Sequence, residues 1–120
     1  MIHMVIEGVV VQGRQLGRKL GFPTANLPVP KGFTADDGVY EAWAEVDGVR
    51  YKAMSNLGRN PSVGGMVRRL ETHLFDFEGR LYDRILRVEL GRKIRDEQTF
   101  ATLEELQAQI AADRDKILKL

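Results

Sequence analysis

The chain has 120 residues, 43% of them hydrophobic and 29% charged, and a formal net charge of +1 from eighteen basic and seventeen acidic side chains. That length suits one domain with one core, so residues 1–120 are expected to form a single unit. Near neutrality removes a global field for nucleic acid or anionic lipid, no apolar run approaches the ~20 residues that span a bilayer, and the lack of cysteine and of an export-type N-terminus fits the cytoplasm.

In chain order, Val5, Val9 and Val11 belong to a β-branched run that ends at Gly13. Residues 14–37 hold Gly17, Gly21, Pro23, Pro28 and Pro30 and read as one long ordered loop, which in a compact domain usually has a function. Gly38 to Val46 nearly alternates, and Asp47-Gly48 joins it to Val49–Leu57, because an Asp-Gly pair takes the positive φ angles of a tight hairpin. Trp43 reads as core. Glu71–Phe77 and Arg84–Leu90 read as a second pair joined through Glu78-Gly79. The period then changes. Thr102 and Glu105 have capping-box spacing, and Leu103, Leu106, Ile110 and Ile117 fall on one helical face. Strands followed by one terminal helix predict a mainly β fold, an antiparallel barrel or sandwich with the helix outside it or across an open end.

The first chemical feature is Gly13-Arg-Gln-Leu-Gly17-Arg-Lys-Leu-Gly21-Phe-Pro-Thr24-Ala-Asn26. Bare backbone lets N–H groups approach an anion, Arg18 and Lys19 neutralise it, and Thr24 and Asn26 offer hard oxygens to Mg²⁺. It is neither a Walker A sequence nor a dinucleotide fingerprint. On the residues alone, a phosphate-wrapping loop and a solvated turn with incidental cations fit equally. Two histidines and no cysteine give no zinc site. His73 follows Glu71 by two, so both share a sheet face, and it reads as a packed or hydrogen-bonded histidine rather than a proton shuttle.

Gly21-Phe-Pro-Thr-Ala-Asn26 resembles the Pro-Thr-Ala-Asn signature of the riboflavin kinase family, found alone or as the C-terminal half of bifunctional FAD synthetases. The resemblance continues through Gly38-Val-Tyr40, Asn56-Leu-Gly58, Asn60-Pro61, Glu71-Thr-His73-Leu-Phe-Asp76-Phe77, Leu81-Tyr82 and Ile94-Arg95-Asp-Glu97. It implies a small antiparallel Greek-key β-barrel with a C-terminal helix, and Mg²⁺-dependent transfer of the ATP γ-phosphoryl group to riboflavin, giving FMN. Thr24 and Asn26 would bind Mg²⁺ and the nucleotide phosphates, with Gly13, Arg18, Leu74, Asp76 and Tyr82 also on the ATP side. Glu71 is similar to the catalytic carboxylate, and Arg95, Gln98 and Phe100 match flavin contacts. Phe100 also suits a bland role, stapling the helix to the barrel.

The chemistry is consistent with such residues. A loose phosphoryl-transfer transition state leaves the protein mainly alignment and charge neutralisation. The attacking alcohol gains from a nearby carboxylate that orients it and accepts its proton. Without the resemblance, Glu71 would read as an ordinary outward strand residue.

Three positions depart from the commoner pattern: Asp83 stands for glycine, Ser62 for threonine, and Gln98 for lysine or another long polar residue. Asp83 is expected to weaken ATP affinity at worst. The expected partners are riboflavin and ATP, with no nucleic acid, no membrane and a monomeric state. Arg14, Arg18 and Lys19 would suit an oligonucleotide-binding barrel, but no aromatics are interleaved with them. No adenylyltransferase motif accompanies the chain, so FAD synthesis is not expected of it.

Overall fold

The computed structural model describes residues 4–11, 24–62 and 65–120. Its strands are β1 (Met4–Val9), β2 (Ala25–Pro28), β3 (Gly38–Val46), β4 (Val49–Ser62), β5 (Gly65–Leu74) and β6 (Ile85–Arg95), followed by helix α1 (Leu103–Leu118). All pairings are antiparallel, in the order β1-β6-β3-β4-β5-β2. The run β6-β3-β4-β5 places a late strand beside the first of three consecutive ones, which is a Greek key. Beyond β1, the Val11 N–H donates to the Asn26 carbonyl at 2.9 Å, drawing the two edge strands together into a nearly closed barrel. The expected barrel with one terminal helix is therefore the observed fold.

Alternation decides which side chains fill the barrel. Ala42, Ala44 and Ala53 face inward with Leu27, Leu57, Leu70, Leu86 and Val88, and all of these are fully buried. Small residues on β3 leave room for the leucines opposite them. The Asp47-Gly48 turn has φ angles of 51° and 77°, both positive as a tight hairpin requires, and Gly38–Val46 is a strand at the expected bounds. β4 continues past Leu57 to Ser62.

Several local expectations are corrected. β5 begins at Gly65 and ends at Leu74, so Phe75 and Phe77 lie beyond it. It does not pair with β6, because β3 and β4 stand between them. Glu78-Gly79 instead belongs to a long connection, 75–84, in which Asp76, Gly79 and Asp83 have φ angles of 59°, 130° and 64°. Phe77 meets Tyr51 edge to face at 5.2 Å, and Leu81 and Tyr82 also pack against the barrel core. A two-residue turn signal marks a reversal but not the partner strand. Residues 25–28, expected within a loop, form β2; four residues are too few for a periodic signal, and the strand exists because β5 pairs with it. Trp43 lies on the outer face rather than in the core, with the Lys52 ammonium 4.8 Å and the Arg50 guanidinium 5.3 Å from its ring. Asp83 occupies left-handed backbone, the conformation that glycine favours and aspartate tolerates.

Helix α1 packs on the barrel's outer face. Ile117 is fully buried against Val39, Met54 and Phe75, with Ile94 and Ile110 beside them. The Glu105 N–H donates to Thr102 Oγ1 at 3.1 Å and the Glu105 carboxylate accepts from the Ala101 N–H at 3.1 Å, close to the expected capping box. The apolar stripe is not wholly core, because Leu103 at its start stays 52% exposed.

One buried polar contact ties β4 to β5 inside the barrel: Ser55 Oγ and Thr72 Oγ1 lie 2.7 Å apart, and both residues are fully buried. Thr72→Val should cost roughly 1–3 kcal/mol by stranding the Ser55 hydroxyl. Adding Ser55→Ala should recover part of that loss. Denaturant titration of the single and double variants measures the coupling, and strict additivity would contradict it.

Candidate active site

Directly opposed residues of antiparallel strands share a face. Asn26 of β2 opposes Glu71 of β5, Glu71 opposes Asn56 of β4, Asn56 opposes Val39 of β3, and Val39 opposes Arg95 at the end of β6. The barrel interior takes the alternate positions, Ala25 and Leu27 on β2, Leu70 and Thr72 on β5. Asn26, Glu71, Asn56 and Arg95 therefore form one row on the outer face. Three inter-strand steps of ~4.8 Å separate Glu71 from Arg95 by roughly 15 Å. Thr24 precedes Asn26 by two and stands at the same end of the row.

Between this row and α1 lies a cavity of about 570 Å³. Its sheet wall is mainly polar, with Thr24, Asn56, Arg69, Glu71 and His73, and Val39 and Met54 form an apolar floor. The opposite wall carries Phe100, Leu103, Leu106 and Ile110. The start of the α1 stripe thus lines a ligand-sized space, which explains why Leu103 is not covered by protein. Such a cavity suits a molecule with a flat apolar body and a polar arm.

At the helix end, Arg95 is held on several sides. Its Nε–H donates to both Asp113 carboxylate oxygens at 3.1 and 3.0 Å, Nη2 donates to Asp113 Oδ2 at 2.9 Å, and Nη1 donates to the Asp96 carbonyl at 3.0 Å. Its guanidinium carbon is 5.9 Å from the centre of the Phe100 ring. His73 meets Phe75 edge to face at 5.3 Å. Glu97 also lines the cavity, its carboxylate resting where a Cβ on Gly58 would sit. Burial raises the Glu97 pKa above its ordinary value; Asp37 and Glu71 add to this, and Arg95 opposes it.

Of the expected site residues, Thr24, Asn26, Glu71, Arg95, Gln98 and Phe100 gather on this face or line the cavity. Leu74, Asp76 and Tyr82 do not line it. Leu74 is buried in the barrel core, Asp76 is exposed just after β5, and Tyr82 lies on the 75–84 connection with the Arg80 guanidinium 5.9 Å from its ring. Gly13 and Arg18 lie outside the described residues. Asn56, Glu97 and Asp113 were missed as site residues. Asp113 did leave a signal: it stands three after Ile110 and four before Ile117, on the apolar stripe, where an acid needs a reason.

The donors at 24 and 26 restrict which metal this end of the row could hold. Among the described residues no three His, Cys, Asp or Glu side chains converge to hold an ion. A hydroxyl and an amide, with Asn26 only 3% exposed, are neutral hard-oxygen donors; they fit a Mg²⁺ ion that brings phosphate and water ligands with it. No helix among the described residues is long and apolar enough to cross a membrane.

Comparison with known proteins gives a consistent assignment. A family model described as Flavokinase, riboflavin kinase, matches residues 2–120. The bifunctional riboflavin kinase/FMN adenylyltransferase of Escherichia coli K12 is 47% identical over 111 residues, covering 90% of this chain and 35% of the relative. The RNA-binding riboflavin kinase RibR of Bacillus subtilis is 40% identical over 116 residues, covering 96% of this chain and 50% of that protein. A crystal structure described as a macrolide-efflux protein from Streptococcus pneumoniae superposes with a TM-score of 0.88 at 32% identity, covering 97% of this chain and 38% of that one. The chain thus spans about a third of the length of its bifunctional relatives.

The Glu97 shift has a defined consequence. An acid whose folded pKa is raised keeps its proton longer in the folded state, so its contribution to stability is present below the ordinary value of 4.5 and is lost as pH rises through the raised one. Glu97→Gln should therefore melt higher than the native protein at pH 7, and the gap should close below about pH 4. Thermal melts at both pH values check this; a gap that is absent or independent of pH would count against it.

Proposed function

Because the chain belongs to the riboflavin kinase family, whose members depend on ATP, we propose that residues 1–120 act as one riboflavin kinase domain that transfers the ATP γ-phosphoryl group to the terminal ribityl hydroxyl, giving FMN and ADP. The observation that carries this reading is the direct pairing of Asn26 with Glu71, which lines, beside Thr24, a cavity whose far end holds Arg95 and Phe100.

Thr24 and Asn26 would hold Mg²⁺ with the nucleotide phosphates, and the bound ion would neutralise charge on the transferred group. Glu71, one strand away, orients the riboflavin hydroxyl and accepts its proton as the oxygen bonds to phosphorus and the bond to ADP breaks. β5 runs from Thr72, opposite Ala25, to Leu74, so Leu74 and Asp76 continue past the end of β2 where Thr24 stands. That placement supports a nucleotide role for Leu74, Asp76 and Tyr82, and Gly13 and Arg18 are assigned to the same side by resemblance. Arg95, Gln98 and Phe100 receive the isoalloxazine ring, and the helix wall keeps water from its faces. The spacing of Glu71 and Arg95 suits a tricyclic ring carrying a five-carbon arm.

The neutral net charge supports small-molecule partners without nucleic acid, and the RNA binding named for the Bacillus subtilis relative is not carried over. A cysteine-free chain fits a cytoplasmic protein, and a monomeric state is proposed with it.

Incubation with riboflavin, ATP and Mg²⁺ should yield FMN and ADP in equal amounts, and chelation of the metal should stop it. Glu71→Gln should lower kcat by roughly 10²–10⁴-fold while riboflavin still binds. Riboflavin binding without FMN formation by the native protein would reduce the assignment to a binding module.

A further inference from the structure

Asp113 is a buried acid that the phosphoryl transfer does not use. It is 3% exposed and stands on the α1 stripe between Ile110 and Ile117. A buried ion pair adds little stability over a well-packed apolar pair, so its distinctive effect is geometric. Both carboxylate oxygens engage Arg95, and Gln109 Nε2 donates to Oδ1 at 3.0 Å, fixing the carboxylate from its own helix. With the Asp96 carbonyl also engaged, Nε–H and one N–H of each terminal nitrogen of Arg95 are taken. A fixed guanidinium plane then presents one remaining N–H on each terminal nitrogen.

The latch also sets a distance. Arg95 ends β6, residues 96–102 lead into α1 and include Gln98 and Phe100, and Thr102 caps the helix. Joining Arg95 to Asp113 pins the strand to the body of the helix, and so determines how far α1 stands from the sheet at this end of the cavity. At the opposite end, Asn26 and Glu71 are set against each other by the pairing of β2 with β5. We propose that Asp113 is a positioning residue that sets riboflavin affinity, by orienting Arg95 and holding the width of the ring slot, without acting on the chemical step. This rests on the kinase reading above.

The separation of the two ends makes the effect selective. In folded Asp113→Asn, the Kd for riboflavin, read by quenching of its own fluorescence without ATP, should rise about tenfold or more. The KM for riboflavin should follow, kcat at saturating riboflavin should stay within about twofold, and the KM for ATP should not move. Asp113→Glu should recover part of the affinity. A folded Asp113→Asn protein with native riboflavin affinity overturns the proposal, as does a parallel change in kcat and both KM values. Should Asp113→Asn fail to fold, Gln109→Leu loosens the same carboxylate, and its riboflavin Kd should rise about twofold to threefold; an unchanged value overturns the proposal. A native protein that does not bind riboflavin sinks the kinase reading and this one together, whereas a native protein that binds beside a variant that binds equally well sinks this one alone.

Discussion

Four paired positions between β2 and β5 decide which polar side chains stand at one end of the cavity. Ala25 and Leu27 fill the barrel while Asn26 between them faces out, opposite Glu71. A one-residue slip would turn the amide into the hydrocarbon core and expose Leu27, so hydrophobic burial enforces the polar arrangement. The Ser55–Thr72 contact, one position along β5 from Glu71, holds β4 and β5 in the same register from the inside. The polar row is thus a consequence of core packing on the reverse face.

The outer face would be ordinary solvated sheet without α1. The helix converts it into an amphipathic cavity, with polar strand residues on one side and apolar helix residues on the other. Covering the row leaves Glu97 at its rim, still exposed, where partial desolvation raises its pKa and Asp37 and Glu71 add to the rise. The same covering demands pairing for any charge left inside, and Arg95 and Asp113 meet it together. Among the described residues, no buried side-chain nitrogen or oxygen lacks a hydrogen-bond partner.

The two ends of the cavity are built differently. Around Asn26 and Glu71, placement comes from backbone pairing of strands, which is rigid and local to the barrel. Around Arg95 and Phe100, it comes from side-chain contacts across an irregular segment and a helix. Phosphoryl transfer needs alignment to a fraction of an ångström, whereas a flat ring needs a slot of the right width. The stiffer construction stands at the end where we place the proposed phosphoryl transfer.

Local chemistry in the chain determined much: the Asp-Gly hairpin, the Thr102 cap, the terminal helix, and the family, through motifs that include Thr24, Asn26 and Glu71. These depend on residues near one another in sequence or on a motif already complete there. The partners of β5 and β6, the existence of β2, and the place of Trp43 were decided only in three dimensions, because alternation states which residues share a face without naming the strand across from it. That Asn56 and Asp113 line the cavity was decided there too, for the same reason. Their surroundings arise from what the fold sets against them, Glu71 on the next strand and Arg95 at the end of β6, and a register between distant segments is fixed by the whole core packing at once.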